Sequence, residues 1–252
     1  MALYSDLMAA VKSDSSSKPT RRDRAAATRR RVAEAAYARF AALGYAATTM
    51  EAIAADAGVA VQTAYFIFHT KAELLVAAMV IAGGAPAEAD AVMERDWIRQ
   101  VIDATDGPRR LALIVEHGNE IYRRLAPMFP AVRAAASVDP DVDRAWQTIV
   151  TGRRQGMTRI VGLMAERGEL RPGLDPGLAA DVLFGLHRAE VYLAFTVECG
   201  WSVERYKAWQ WKTLVDQLLP SDEARTALLP PGDVVTDLSF ARDLVAFPDL
   251  EA

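Results

Sequence analysis

Apolar positions return along this chain every three to four residues, and no stretch alternates in the manner of a strand. Val32, Ala36, Phe40 and Leu43 fall on one helical stripe, and Gly44 follows where such a helix would stop. Thr48-Thr49 offers hydroxyl caps to a short second helix, with Met50, Ile53, Ala54 and Ala57 as its buried face and Gly58 as its end. A third helix, Val61 to Phe68, turns Ala64 and Phe68 inward and leaves Gln62, Thr63 and Tyr65 on other faces. Thr70-Lys71-Ala72-Glu73 has the form of a capping box and opens a fourth helix, with Leu74, Leu75 and Ala78 as its stripe.

Beyond Ala85-Pro86 the start signals are Asp106-Gly107-Pro108, Asp139-Pro140 and Asp175-Pro176, each placing proline in a first helical turn. They predict helices over about 87–104, 108–126, 139–167, 176–199 and 202–219, with Pro127 and Pro130 interrupting the path between the second and third. The fold class is all-α: an N-terminal three-helix helix-turn-helix domain followed by a larger helical bundle. Residues 1–22 read as a flexible basic arm, 23–86 as the small domain with its helix-turn-helix at 49–68, 87–219 as the bundle, and 220–252 as a tail.

Composition narrows the function. The chain has 252 residues, 52% of them hydrophobic, which is ample for a full core. The lone Cys199 excludes an internal disulfide, and the first thirty residues lack the order of a secretory signal, so a reducing cytoplasm is expected. The longest uncharged apolar stretch, Leu74 to Ala87, is too short for a membrane span, which needs about 20 residues. The net charge of -4 is divided unevenly. Residues 1–83 carry 10 Lys/Arg against 7 Asp/Glu, and the remainder carries 19 against 26, so any phosphate-binding surface belongs at the N-terminal end.

Two short helices joined at a glycine, the second with polar groups near its start, have the build needed to lay a helix in the major groove. From about Ala26 to Pro86 the chain resembles the tetracycline-repressor family at Phe40, Gly44, Thr48-Thr49, Ile53-Ala54, Gly58-Val59, Thr63, Tyr65, Phe68, Lys71 and Leu74. The resemblance implies a dimer that binds a near-palindromic double-stranded operator and responds to a small-molecule effector in the bundle. It implies phosphate contacts from Thr49, Thr63, Tyr65 and Lys71, and base contacts from Val61 and Gln62. It also implies pairing of two chains through the last two long helices. Two positions depart from the family pattern. Ala60 leaves the third helix without a side-chain cap, a loss of about 1 kcal/mol, and Ile67 stands where a polar residue often meets the backbone.

Other groups admit two readings. Arg21, Arg22 and Arg24, in the basic run from Lys18 to Arg31, form either a DNA-backbone arm or a solvated tail and helix face. His117, between Glu116 and Glu120, offers either a nitrogen-and-oxygen metal site or an exposed charged face; the expectation is no metal and no cofactor. His117, Phe184, His187, Arg188 and Tyr192 are candidates for an effector pocket, and structural roles account for them equally. No phosphate loop, His-Glu-x-x-His or Gly-x-Ser-x-Gly pattern is present, which argues against an enzyme. An activator, a partner-controlled regulator, and a ligand-binding or adaptor protein that has lost DNA binding stay open beside the repressor.

Overall fold

The computed structural model describes residues 20–83 and 96–220, and these are helical with no strand. Lys18, the Ser-rich run before Thr20, residues 84–95 and the tail from 221 lie outside the described residues. Four helices make the N-terminal part: α1 (Arg21–Leu43), α2 (Met50–Asp56), α3 (Val61–Ile67) and α4 (Lys71–Ala82). There follow α5 (Asp96–Asp103), α6 (Gly107–Leu125), α7 (Phe129–Ala136), α8 (Pro140–Glu166), α9 (Pro176–Leu186), α10 (Ala189–Leu193) and α11 (Val203–Leu218), with a π-helical turn, Ala194–Glu198, after α10.

The helix starts are local chemistry. Thr49 Oγ1 accepts from Ala52 N at 3.2 Å, Asp106 from Arg109 N at 2.8 Å, Asp175 from Leu178 N at 2.8 Å and Ser202 from Arg205 N at 3.1 Å. Each satisfies one of the orphan amides that open a helix. Two ends differ from the sequence reading. Thr20 and Asp23 form a reciprocal capping box, so α1 begins at Arg21 and takes in the end of the expected flexible arm. At α4 the box is displaced by one residue: Thr70 Oγ1 accepts from Glu73 N, but the Glu73 carboxylate accepts from His69 N at 3.0 Å.

Two further differences lie in the bundle. The stretch around Pro127 and Pro130 holds a helix of its own, α7, with Pro130 in its first turn, where a missing N–H costs nothing. The expected helix over 176–199 breaks after Leu186, because side chains from three other helices capture its carbonyls. Gln210 donates to Leu186 O at 2.8 Å, and both Tyr122 and Arg153 donate to His187 O, at 2.8 and 2.7 Å.

Two hydrophobic cores result. The far core joins Val101, Leu111, Ile114, Val161, Met164, Leu183, Leu214 and Leu218 from α5, α6, α8, α9 and α11. The near core starts in the small domain at Val32, Phe40, Ile53, Phe68 and Leu75 and runs without interruption into Tyr122, Met128, Trp146 and Tyr206. Gaining about 25 cal/mol for each Å² of apolar surface it removes from water, this core welds α1–α4 to the adjacent half of the bundle. Polar contacts reinforce the join: Tyr45 donates to Asp139 at 2.7 Å, and Tyr37 donates to Arg124 O at 2.5 Å. Within the far core, Arg110 is fully buried and all its donor groups are engaged. It forks onto Glu169 at 2.9 and 3.0 Å and donates to the carbonyls of Val101, Ile102 and Ala104.

Candidate nucleic-acid interface and effector region

α3 has seven residues and no charge. Its buried line is Ala64, continued by Phe68 just past its end. At about 100° per residue, Gln62 and Phe66 lie about 160° from Ala64 on either side, so they form the ridge opposite the core. Thr63 and Tyr65 flank that ridge at about 100°, whereas Val61 and Ile67, at about 60°, pack partly against the near core. Exposure follows this geometry: Phe66 is 84% exposed and Tyr65 44%. Among the described residues the Tyr65 hydroxyl has no hydrogen-bond partner.

Contacts from three sides brace the ridge. Gly58 takes φ +64° between α2 and α3, a conformation that a side chain would strain. Arg29 of α1 donates to Ile67 O at 3.1 Å with its guanidinium over the Phe68 ring, placing a cation at the carbonyl end of α3. Lys71 donates to the carbonyls of Tyr45 and Thr48, at 3.0 and 3.1 Å, and lies over the Tyr45 ring. Tyr45 in turn binds Asp139, which also caps α8, so one chain of contacts links the start of α4, the loop before α2 and the bundle. Burial, then Asp139, pushes the Tyr45 phenol above its ordinary range, and the bond from Tyr45 holds the Asp139 carboxyl down.

In the bundle a polar cluster surrounds the break between α9 and α10. His187 is 3% exposed, and its imidazole sits so close to Gly118 that any side chain there would overlap it. Asn119 donates to Val115 O and to Gln210, both at 2.7 Å. Yet Asn119 Oδ1 and His187 Nδ1 are buried with no partner. Burial, with the Arg153 guanidinium adding to it, holds the His187 imidazole down to about 3. A separate groove of about 540 Å³ runs beside α4, floored by Val76, Ala77, Val80 and Ile81 and edged by Arg29, Glu73 and Asp141.

Two family models match this architecture: "Bacterial regulatory proteins, tetR family" over residues 32–78 and "Tetracyclin repressor-like, C-terminal domain" over residues 103–196, together more than half of the chain. The chain belongs to the TetR family. No curated protein sequence matches it. Among solved structures it is similar to SmeT, the repressor of the Stenotrophomonas maltophilia multidrug efflux pump SmeDEF, at 21% identity and a TM-score of 0.60, covering 82% of this chain and 97% of that one. The complex of SmeT with triclosan gives 22% and 0.63, covering 83% of this chain and 100% of that one. The transcriptional regulator FadR from Bacillus subtilis in complex with stearoyl-CoA gives 21% and 0.57, covering 73% and 96%. At such identities the likeness is one of fold.

Within this TetR chain the residues singled out in the sequence are placed unevenly. Thr49, Gln62 and Tyr65 are exposed around the helix-turn-helix, and Thr63 is half-buried beside them. Val61 turns partly toward the core, and Lys71 spends two of its three donors on loop carbonyls. Arg21, Arg22 and Arg24 are exposed in the first turn of α1. Phe184, His187, Arg188 and Tyr192 gather at the α9–α10 break, with Arg188 over the Phe184 ring and paired to Glu190. His117 faces elsewhere, its ring 5.6 Å from that of Trp97; Glu116 is paired to Lys207, and Glu120 to Arg123 and Arg124. None of these five pocket candidates lines the groove beside α4. The sequence reading did not single out Phe66, whose exposure follows from its position opposite Ala64 on the helical wheel.

Proposed function

We propose that the chain is a dimeric transcriptional repressor that binds a near-palindromic operator through α2 and α3 and is released by a small molecule taken up by the bundle. The observation that carries this reading is the uncharged ridge of α3, held opposite the core on a braced helix-turn-helix. Gln62 is suited to an adenine edge, while Thr49, Thr63 and Tyr65 present groups suited to phosphate oxygens. Arg21, Arg22 and Arg24 supply cations beside the duplex, and Lys71 acts chiefly as a brace with one donor left for DNA. Two chains pair through α9–α10 and α11, and set their recognition helices about 34–36 Å apart in successive major grooves in the cytoplasm.

The solved relatives with triclosan and stearoyl-CoA support an effector in the bundle. The unpartnered Asn119 Oδ1 and His187 Nδ1 support a site at the α9–α10 break, with Phe184, Arg188 and Tyr192 around it. An effector shifts the equilibrium only by its difference in affinity for the two states, and α4, fused to both halves, transmits the shift. The test is an electrophoretic shift at low salt on DNA flanking the protein's own gene. The wild type shifts such a fragment, and Tyr65→Phe weakens it about two- to tenfold, the range for one hydrogen bond. Failure of the wild type to shift any such fragment overturns the reading.

A further inference from the structure

We propose that Phe66 is a specificity-determining residue that reads the C5-methyl group of thymine, so that each half-site carries A·T pairs contacted jointly by Gln62 and Phe66; this rests on the operator-binding reading above. Phe66 is the most exposed of the large apolar side chains on the described surface, 84% exposed, and it sits at the outermost line of α3. A phenylalanine left in water there has no role in packing: the core side of α3 is filled by Ala64 and Phe68, and Val61 and Ile67 complete the seal. Its neighbours on the ridge are a neutral amide and a phenol, so nothing charged competes for the groove edge.

The chemistry of the major groove then selects the partner. Each base pair shows hydrogen-bonding groups there, and thymine alone adds a methyl, the one apolar feature a phenyl ring can bury without stranding a polar atom. Gln62 stands one turn before Phe66, about 6 Å along the axis, which spans about two base steps at 3.4 Å each. The amide is matched to adenine and the ring to thymine, and both therefore select A·T pairs at neighbouring steps. Val61, with its side chain turned partly into the core, is poorly placed for this contact, and the base contact expected of it from sequence passes to Phe66.

The test starts from a random double-stranded DNA pool enriched on the full-length chain, after which each thymine of the selected half-site is replaced in turn by deoxyuridine, which removes the methyl alone. At one thymine the replacement weakens wild-type binding about fourfold, the equivalent of one buried methyl group. Phe66→Ala loses about tenfold on the thymine operator, and at that position it no longer distinguishes thymine from uracil, so the two losses do not add. Its melting temperature stays at the wild-type value, because the ring lies almost wholly in solvent. Wild-type binding that is indifferent to every uracil, or equal losses for Phe66→Ala on both DNAs, overturns the proposal while leaving operator binding intact. Enrichment of no sequence at all overturns operator binding and this inference with it.

Discussion

The bundle buries two polar clusters that were built to opposite specifications. Around Arg110 every donor of the guanidinium has an acceptor, and the carboxylate of Glu169 closes the fork. Around His187 the backbone carbonyls are served, but Asn119 Oδ1 and His187 Nδ1 are left alone. A closed cluster fixes the packing of α5 against α6 and the loop after α8, whereas an open one retains unspent hydrogen-bonding capacity at a break in a helix. The difference separates a cluster whose polar groups satisfy one another from one that keeps two of them in reserve.

The largest effect is expected from opening the closed cluster. Arg110→Ala leaves the buried Glu169 carboxylate and three carbonyls unpartnered and should cost about 3–5 kcal/mol in urea unfolding. The double change Arg110→Met with Glu169→Leu should recover most of that loss, to within about 1 kcal/mol of the wild type; if it does not, the pair does more than neutralise itself. Gly118→Ala pushes a methyl into the His187 imidazole and should cost about 1–3 kcal/mol by overpacking. A near-neutral result would show that the open cluster yields where the closed one cannot.

His187 is held down to about 3 when folded, against 6.5 as the ordinary value. Below pH 6.5 the unfolded chain therefore takes up a proton that the folded chain refuses, and stability falls as the pH drops, by about 1.4 kcal/mol per pH unit from this one group. Between pH 6.5 and 5, His187→Gln should flatten the slope of unfolding free energy by about half that amount at the upper end, rising to nearly all of it at the lower. Identical slopes for the two proteins would mean that the imidazole is not kept neutral by its surroundings.

What was legible in the sequence was what short-range chemistry decides. Thr49, Asp106, Asp139 and Asp175 announce their helices because the cap bond spans two or three residues. Gly44 and Gly58 stop theirs through positive φ. The break at His187 was hidden, because the groups that hold it open come from Tyr122, Arg153 and Gln210, far away in the chain, and no proline or cap residue marks the place. The bracing bonds of Lys71 were hidden in the same way, since the carbonyls of Tyr45 and Thr48 that accept from it lie more than twenty residues back in the chain. Gln62 was singled out by its polarity, whereas the exposure of Phe66 was not expected, because a phenylalanine is ordinarily assigned to the core.

The near core has an evolutionary consequence. A small helix-turn-helix part followed by a larger bundle invites the picture of interchangeable modules. Phe40, Phe68 and Leu75 nevertheless share one interior with Tyr122, Trp146 and Tyr206. Recombination at the junction would pair surfaces that never grew together, and the daughter would inherit a mismatched interior along with its new specificity. On the proposed reading, new operators are most readily acquired by point substitution on the outer ridge of α3, where Gln62 and Phe66 stand away from the packing beneath.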